Sequence, residues 1–453
     1  MRQLLLLALT GLLLTGRLGA QEVLPLEEVL DWALTNHPVA DMARAVEEQG
    51  PAALLRAKGA FDPKAFAFYD RKQFKGTEYY NYGDAGLEWQ SPFAAKVVAG
   101  YNWASGEYVN DELFVPDAGQ AYLGVTLPLL QGLLTDAARI DRQRGDLAVE
   151  RQRAIANVIR NELRYDVTTL YAEWLFTERS LRINRETEVL LETYLRDTRE
   201  LLRQGDKPAV DTLEASIYLG TQRLATQQAA VDANLARIAL AEVFWPMTEG
   251  RIPFAISSEL LQLPVANDWA ANHPELLDLQ LLVSDYQLEQ RLKREKLKPK
   301  LDASYYLLGE GLQVPVAGDQ FGGFFERGYK IGATASFPIF NRKARGDVEL
   351  GRLKILEGEA KLADKTQALN LKAGAYADAV AAYTQQLRQA EVLADQSGEL
   401  LAAERELFRL GESTQFLLNT RQQMQQKALL VAEKLRFSRH KAIFTYRYLV
   451  AGW

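Results

Sequence analysis

The sequence predicts a mainly helical chain with a smaller β component, folded as two repeats of helix, β-hairpin, very long helix, turn and return helix. Three observations predict it. Proline is missing between Pro128 and Pro208 and again after Pro338, and apolar residues recur in those stretches at intervals of three, four or seven. Elsewhere, aromatic-rich segments alternate with a period of two. Short motifs also recur in one order in both halves, and such self-similarity overrides a domain count taken from length.

Composition narrows the class. The 453 residues are 48% apolar and 25% charged, a globular balance, and a net charge of −6 gives no reason to expect nucleic acid as a partner. Met1-Arg2-Gln3, an apolar run from Leu4 to Leu14 and a small residue at Ala20 describe a secretory signal over residues 1–20. That run is too short to span a bilayer, and no later window offers about 20 apolar residues for a transmembrane helix. Cysteine is absent, so the exported chain has neither disulfides nor a thiol for lipidation. The compartments left are periplasm, outer membrane or medium of a diderm bacterium.

The first repeat, residues 21–250, opens with helical spacing from Leu24 to Leu34. Asn36-His37-Pro38 starts a second helix, since proline is tolerated in a first turn. This helix runs towards Lys58, with Gly50-Pro51 arguing for a kink or break. Within residues 62–130 the segments Ala65–Arg71, Gly86–Gln90, Val97–Trp103 and Ala121–Leu127 read as strands. They suit either a soluble β-sandwich or barrel strands with an aromatic girdle. Ile155, Ile159, Leu163, Val167, Leu170 and Trp174 then mark a helix of about 65 residues, on the order of 100 Å long. Gly205 ends it in the left-handed conformation that glycine adopts freely, and a return helix runs from Pro208 to Phe244. Gly250-Arg-Ile-Pro253 reads as a loop.

The second repeat, residues 251–453, restates this. Asn272-His273-Pro274 matches Asn36-His37-Pro38, Pro299 matches Pro63, Pro338 matches Pro128 and Gly411 matches Gly205, at offsets of 236, 236, 210 and 206. The strands of the second copy fall within 299–340. That region is shorter than its counterpart, so the first copy holds about one extra hairpin, over Thr77 to Tyr101. Leu393, Leu400 and Leu407, and across the turn Leu417, Met424 and Val431, are spaced by seven, as in a coiled-coil hairpin.

In this order the motifs resemble the TolC family of bacterial outer-membrane efflux channels. The carriers are Asn36-His37-Pro38 and its copy, Pro63 and Pro299, Pro-Leu-Leu-Gln-Gly132 and Pro338-Ile-Phe, and Phe408-Arg-Leu-Gly411-Glu-Ser413. Each motif is weak alone; their order and duplication are specific. The resemblance implies membrane β-strands and a homotrimer. Each subunit would add four strands to a shared 12-stranded β-barrel in outer-membrane lipid, continued by an α-helical tunnel through the periplasm. It implies a passive duct of a tripartite efflux or type I secretion system, partnered by a periplasmic adaptor (membrane fusion) protein and an inner-membrane pump. Two competing readings are a secreted coiled-coil structural or adhesion protein and the adaptor itself, though an adaptor carries one hairpin where this chain has two.

The resemblance also nominates sites. The hairpin tips near residues 205 and 411 dock the adaptor, through Arg203, Gly205, Arg409, Leu410, Gly411 and Ser413; read alone, the glycines are C-caps and the arginines complement helix dipoles. The family's acidic gate positions hold Leu417 and Thr420 here, whereas the first copy has Asp211 and Glu214 at the same offsets, on one helical face. The gate tyrosine and arginine positions hold Phe408 and Ser413, so an apolar constriction by Phe408 and Leu417 replaces a polar latch. His37 and His273 make a poor metal pair and are expected to cap or pack. No nucleophile elbow or phosphate loop is present, so neither catalysis nor a cofactor is expected. The mixed charges from Asp136 to Arg153 read as a solvated helix face.

Overall fold

In the computed structural model, residues 22–109, 115–245, 251–264, 269–311 and 328–453 are described; the predicted signal over 1–20 lies outside them. The elements are β1 (Glu22–Leu24), α1 (Leu26–Asn36), α2 (Pro38–Lys58), β2 (Lys64–Phe74), β3 (Thr77–Gln90), β4 (Lys96–Ser105) and β5 (Gln120–Pro128). After them come α3 (Ala137–Gln204), α4 (Ala209–Val243), β6 (Arg251–Pro253), α5 (Trp269–Asn272) and α6 (Pro274–Glu295). The chain ends with β7 (Lys300–Glu310), β8 (Tyr329–Ser336), α7 (Arg342–Arg409) and α8 (Gln415–Val450). Helices α3 and α7 have 68 residues each, about 100 Å at 1.5 Å per residue. No helix among the described residues is long and apolar enough to cross a membrane.

The chain forms two compact units, and each draws segments from both halves of the sequence. One unit comprises residues up to Ala43, Asn157–His273 and Thr366–Trp453. Its core gathers Leu24, Leu26 and Val29 with Tyr171, Trp174, Leu240, Phe244, Ile443 and Phe444, side chains whose burial contributes roughly 1.5–3 kcal/mol each. Arg251–Pro253, expected as loop, is a strand paired in parallel with β1. The Tyr171 hydroxyl fastens this pair: it donates to the Leu24 carbonyl at 2.6 Å and accepts from the Phe254 amide at 2.8 Å.

In the same unit α3 packs on α4 through Leu191, Leu195, Ala215 and Leu219. Over the last part of α7 the buried positions are Leu387, Ala390, Ala394, Ser397, Leu401 and Glu404, a three-four spacing. The heptad leucines read from the sequence are on another face. Leu393, Leu400 and Leu407, and Leu417, Met424 and Val431 on α8, are exposed. Small residues at the buried positions let helices approach closely, which leaves the larger side chains facing outward.

The other unit comprises Arg44–Ala156 and Pro274–Lys365. Its sheet has the order β2-β3-β4-β5-β7-β8, antiparallel throughout. The four strands per subunit expected from the resemblance are corrected to six, because β3 and β4 form the extra hairpin of the first copy and lie inside the same sheet. Register sorts the side chains onto two faces. One carries Ala65, Leu87, Trp89, Val97, Tyr101, Trp103, Leu123, Val125, Tyr305, Leu307 and Ile331; the other carries Asp84, Glu88, Lys96, Asn102, Gln120, Asp302, Ser304, Lys330 and Thr334. On β3 and β5 the apolar face is the more exposed one, with Leu87 at 56% and Val125 at 42% exposure, whereas on the edge strands β2 and β8 both faces are largely exposed. On the polar face Tyr122 donates to Asp84 at 2.9 Å and Tyr80 to Asp70 at 3.0 Å.

Glycines on the polar face make room for rings. The Tyr306 ring occupies the space a Cβ at Gly124 would need, and the Phe66 ring lies 2.9 Å from one at Gly86. Bulky rings over glycines are a device of strongly curved sheets.

The helices of this unit interlock tightly. A Cβ at Gly50 would lie 2.8 Å from the Val149 Cα, so Gly50 admits α3 against α2. Of the kink or break expected at Gly50-Pro51 the break does not occur, since α2 continues through Pro51. Arg144 forks onto Asp285 at 2.6 and 2.9 Å and Arg151 reaches Asp278 at 2.7 Å. Part of the mixed-charge run is therefore a helix–helix contact rather than a solvated face.

Candidate functional site

The two tips are built alike. At Gly205 the backbone is left-handed (φ 84°), and at Gly411 it repeats (φ 81°). Gly205 N–H bonds the Leu202 carbonyl at 3.1 Å and Asp206 N–H the Leu201 carbonyl at 2.9 Å; Gly411 and Glu412 bond Phe408 and Leu407 at the same distances. This pairing satisfies the last carbonyls of each long helix and reverses the chain. A Cβ on either glycine would meet nothing within 4 Å, so only the backbone angle requires glycine.

Arg203 and Arg409 stand exposed, each paired with a glutamate of its own last turn: Arg203 with Glu200 at 3.0 Å and Arg409 with Glu406 at 2.5 Å. Leu410 is exposed beside them. Ser413 points inward instead. Its hydroxyl donates to Glu404, a buried carboxylate whose second oxygen lies 3.5 Å from Arg421 Nε. The matching positions at the first tip, 206 residues earlier, are Thr198, Lys207 and Ala215, and Thr198 and Ala215 are buried there. One tip is closed by a charged knot, the other by small side chains. Helix α8 starts at Thr414, whose side chain accepts from the Leu417 amide at 3.4 Å, while α4 starts at Pro208 with no side-chain cap.

The four gate candidates have different surroundings within the subunit. Asp211 lies 3.9 Å from Lys207, and Glu214 accepts from Tyr218, whose phenol is held above its ordinary range by desolvation and by that carboxylate. Burial raises the Tyr194 phenol, and the nearby charges of Glu214 and Asp211 add to it. Phe408 lines a cavity of about 240 Å³ with Tyr194, Thr198, Leu201, Asn419 and Gln422. Leu417 is not in that lining and is exposed.

Sequence reasoning missed Glu404 and Arg421, and also a knot of buried and half-buried amides. Gln222 Nε2 donates to the carbonyl and side chain of Asn184, each at 3.0 Å, and Gln426 Nε2 reaches Asn184 Oδ1 and Gln222 Oε1, also at 3.0 Å. This ties α3, α4 and α8 at one level. The available signal was spacing: Ser397 and Glu404 are seven apart, polar residues on the face that Leu387 and Leu401 place inside.

The histidines behave as structural groups. His37 Nδ1 accepts from the Val39 amide at 3.2 Å, and buried His273 packs edge-on to Trp269 at 5.6 Å. Among the described residues no group of His, Cys, Asp and Glu could hold a metal.

No protein-family model matches the chain, and comparison with curated sequences finds no match. Solved structures do match. The outer-membrane channel CmeC of Campylobacter jejuni superposes with a TM-score of 0.64 at 14% identity, over 94% of this chain and 85% of that one. The outer-membrane protein VceC of Vibrio cholerae gives 0.65 at 12%, over 94% and 96%. The outer-membrane channel MtrE of Neisseria gonorrhoeae gives 0.64 at 14%, over 94% and 89%. The chain thus has the fold of outer-membrane channels, the one implied by its resemblance to the TolC family.

Proposed function

We propose that this chain is one subunit of an outer-membrane export channel, a passive duct that three copies assemble and that a periplasmic adaptor and an inner-membrane pump supply with substrate. The observation that carries the reading is the six-stranded sheet with one exposed apolar face and one polar, hydrogen-bonded face. Open sheet edges are not tolerated in hydrocarbon, so such a sheet spans a bilayer only when closed into a barrel. Association of copies is also favoured along the helices. On α4 a stripe of Val210, Leu213, Ile217, Leu224, Val231, Leu235 and Ile238 is exposed, as are Leu393, Leu400 and Leu407 on α7. Neighbouring copies would cover both stripes.

In this reading the exposed tips, with Arg203, Gly205, Arg409, Leu410 and Gly411, dock the adaptor, and Ser413 keeps the second tip in shape. Asp211 and Glu214 line the tunnel mouth as six carboxylates per trimer, retaining cations and repelling anions. Leu417 supplies an apolar constriction that Phe408 supports from the cavity behind it. Membranes carrying the full chain test the reading: salt washing should leave the protein behind and detergent should release a trimer that conducts ions in planar bilayers. Release by salt alone would end it in favour of a secreted structural protein.

A further inference from the structure

We infer that the barrel closes with β8 of one copy antiparallel to β2 of the next, in the register Ser336↔Phe68, Thr334↔Asp70 and Gly332↔Lys72, and that it has 18 strands. This rests on the trimeric channel reading and adds to it the seam, its register and the strand count.

The template is inside the chain. Strand β5 ends the first repeat and β7 begins the second, and they pair as Thr126↔Ser304, Gly124↔Tyr306 and Tyr122↔Leu308. The motif offsets carry β5 onto β8 by 210 residues and β2 onto β7 by 236; the starts of β2 at Lys64 and β7 at Lys300 agree with the second offset. The repeat-to-repeat seam within the chain then prescribes the seam between chains. Thr126 becomes Ser336, Ser304 becomes Phe68, and each pair that follows has residue numbers summing to 404.

Two observations support this register, and neither was used to obtain it. Side-chain faces must agree across a seam, because a slip of one residue exchanges them. Here Phe68, Asp70 and Lys72 lie on the polar face, as do Ser336, Thr334 and Gly332, while Tyr69 and Arg71 share the apolar face with Ala335 and Ala333. Charge excludes a neighbouring register of the same parity. Pairs summing to 402 would set Lys72 directly opposite Lys330, a destabilising contact, whereas the inferred register sets Lys72 opposite Gly332. Direction also fits. With six alternating strands, β2 and β8 run in opposite directions, so copies join head to tail and the ladder stays antiparallel. Three copies of six strands give 18, and barrel diameter grows nearly in proportion to strand number, so the barrel is about 1.5 times as wide as one of 12 strands.

Because the chain has no cysteine, disulfide trapping needs no prior background removal. Full-length Tyr69→Cys/Ala335→Cys, in native membranes under mild oxidant, should give reducible dimers and trimers on denaturing gels. Tyr69→Cys/Ala333→Cys, which tests the register summing to 402, should give less than a tenth as much in the same time, and each single variant none of the trimer. Native mass spectrometry of the same samples separates the two levels of the claim. A trimer in which the slipped pair crosslinks better overturns the register while leaving the channel reading intact; a monomer overturns both. Should Tyr69→Cys prevent assembly, Gln73→Cys/Ile331→Cys probes the same register from the far end of β2, with the same expected result.

Discussion

The knot at the second tip supports a quantitative prediction. Glu404 is only 7% exposed, and its carboxylate is held by the Ser413 hydroxyl and Arg421. Ser413→Ala leaves one oxygen of a buried anion without its donor. A hydrogen bond to a charged group contributes about 1.5–3 kcal/mol, and 1.4 kcal/mol is tenfold in an equilibrium constant. The tip should therefore open on the order of 10 to 100 times more often. Native-state hydrogen exchange read by mass spectrometry measures this, since local opening sets the rate for such segments. Amides from Gly411 to Arg421 should exchange faster by that factor, while the first tip, which has Lys207 in place of Ser413, keeps its rate. Arg421→Ala should act in the same direction and no less strongly, because it leaves the buried charge with the serine alone. Unchanged exchange at Gly411–Arg421 in Ser413→Ala, or equal acceleration at both tips, would refute the claim that this knot holds the second turn.

Other predictions follow from neighbouring features. Burial, with Arg439, Arg179 and Arg436 nearby, depresses His440 to about 3 from 6.5. The unfolded chain then binds the extra proton first, so stability is full above about pH 6.5 and falls towards pH 3 by about 1.4 kcal/mol per pH unit. His440→Gln should remove about 2 kcal/mol of the loss seen between pH 7 and 5 in unfolding of the detergent-extracted protein. On the sheet, Leu123→Lys should cost about 2–4 kcal/mol at mid-membrane depth and reduce trimer yield, whereas Ser304→Lys on the polar face should assemble normally. Phe408→Ala and Leu417→Ala should each raise single-channel conductance in planar bilayers, and conductance equal to the parent in both disposes of the apolar constriction. Gly205→Ala should cost about 1–2 kcal/mol of local stability through the left-handed backbone, again by hydrogen exchange, with no added steric penalty because nothing lies near the new Cβ.

Local and long-range features were legible to different depths. Long helices, turn glycines and strand segments are encoded locally, by periodicity and by residues with special backbone freedom. Hence a first long helix of about 65 residues, the reversals at Gly205 and Gly411 and the extra hairpin near Thr77–Tyr101 were readable from the sequence alone. The sequence could not say which of two apolar stripes a helix buries. Leu393, Leu400 and Leu407 look like a seam in one dimension, but the smaller Ala390 and Ala394 allow closer packing and win the interior. Nor could it say that β3 and β4 join the same sheet, because strand partnership is a long-range choice that period-two alternation does not record.

What the sequence by itself determined is the fold class, because periodicity, prolines and glycines act through local geometry. The tertiary structure alone decided the six-stranded sheet with its sorted faces, the Ser413–Glu404–Arg421 knot and the amide knot of Asn184, Gln222 and Gln426. Each of these depends on which side chains the fold brings together from distant positions, and on how much room their smallest neighbours leave.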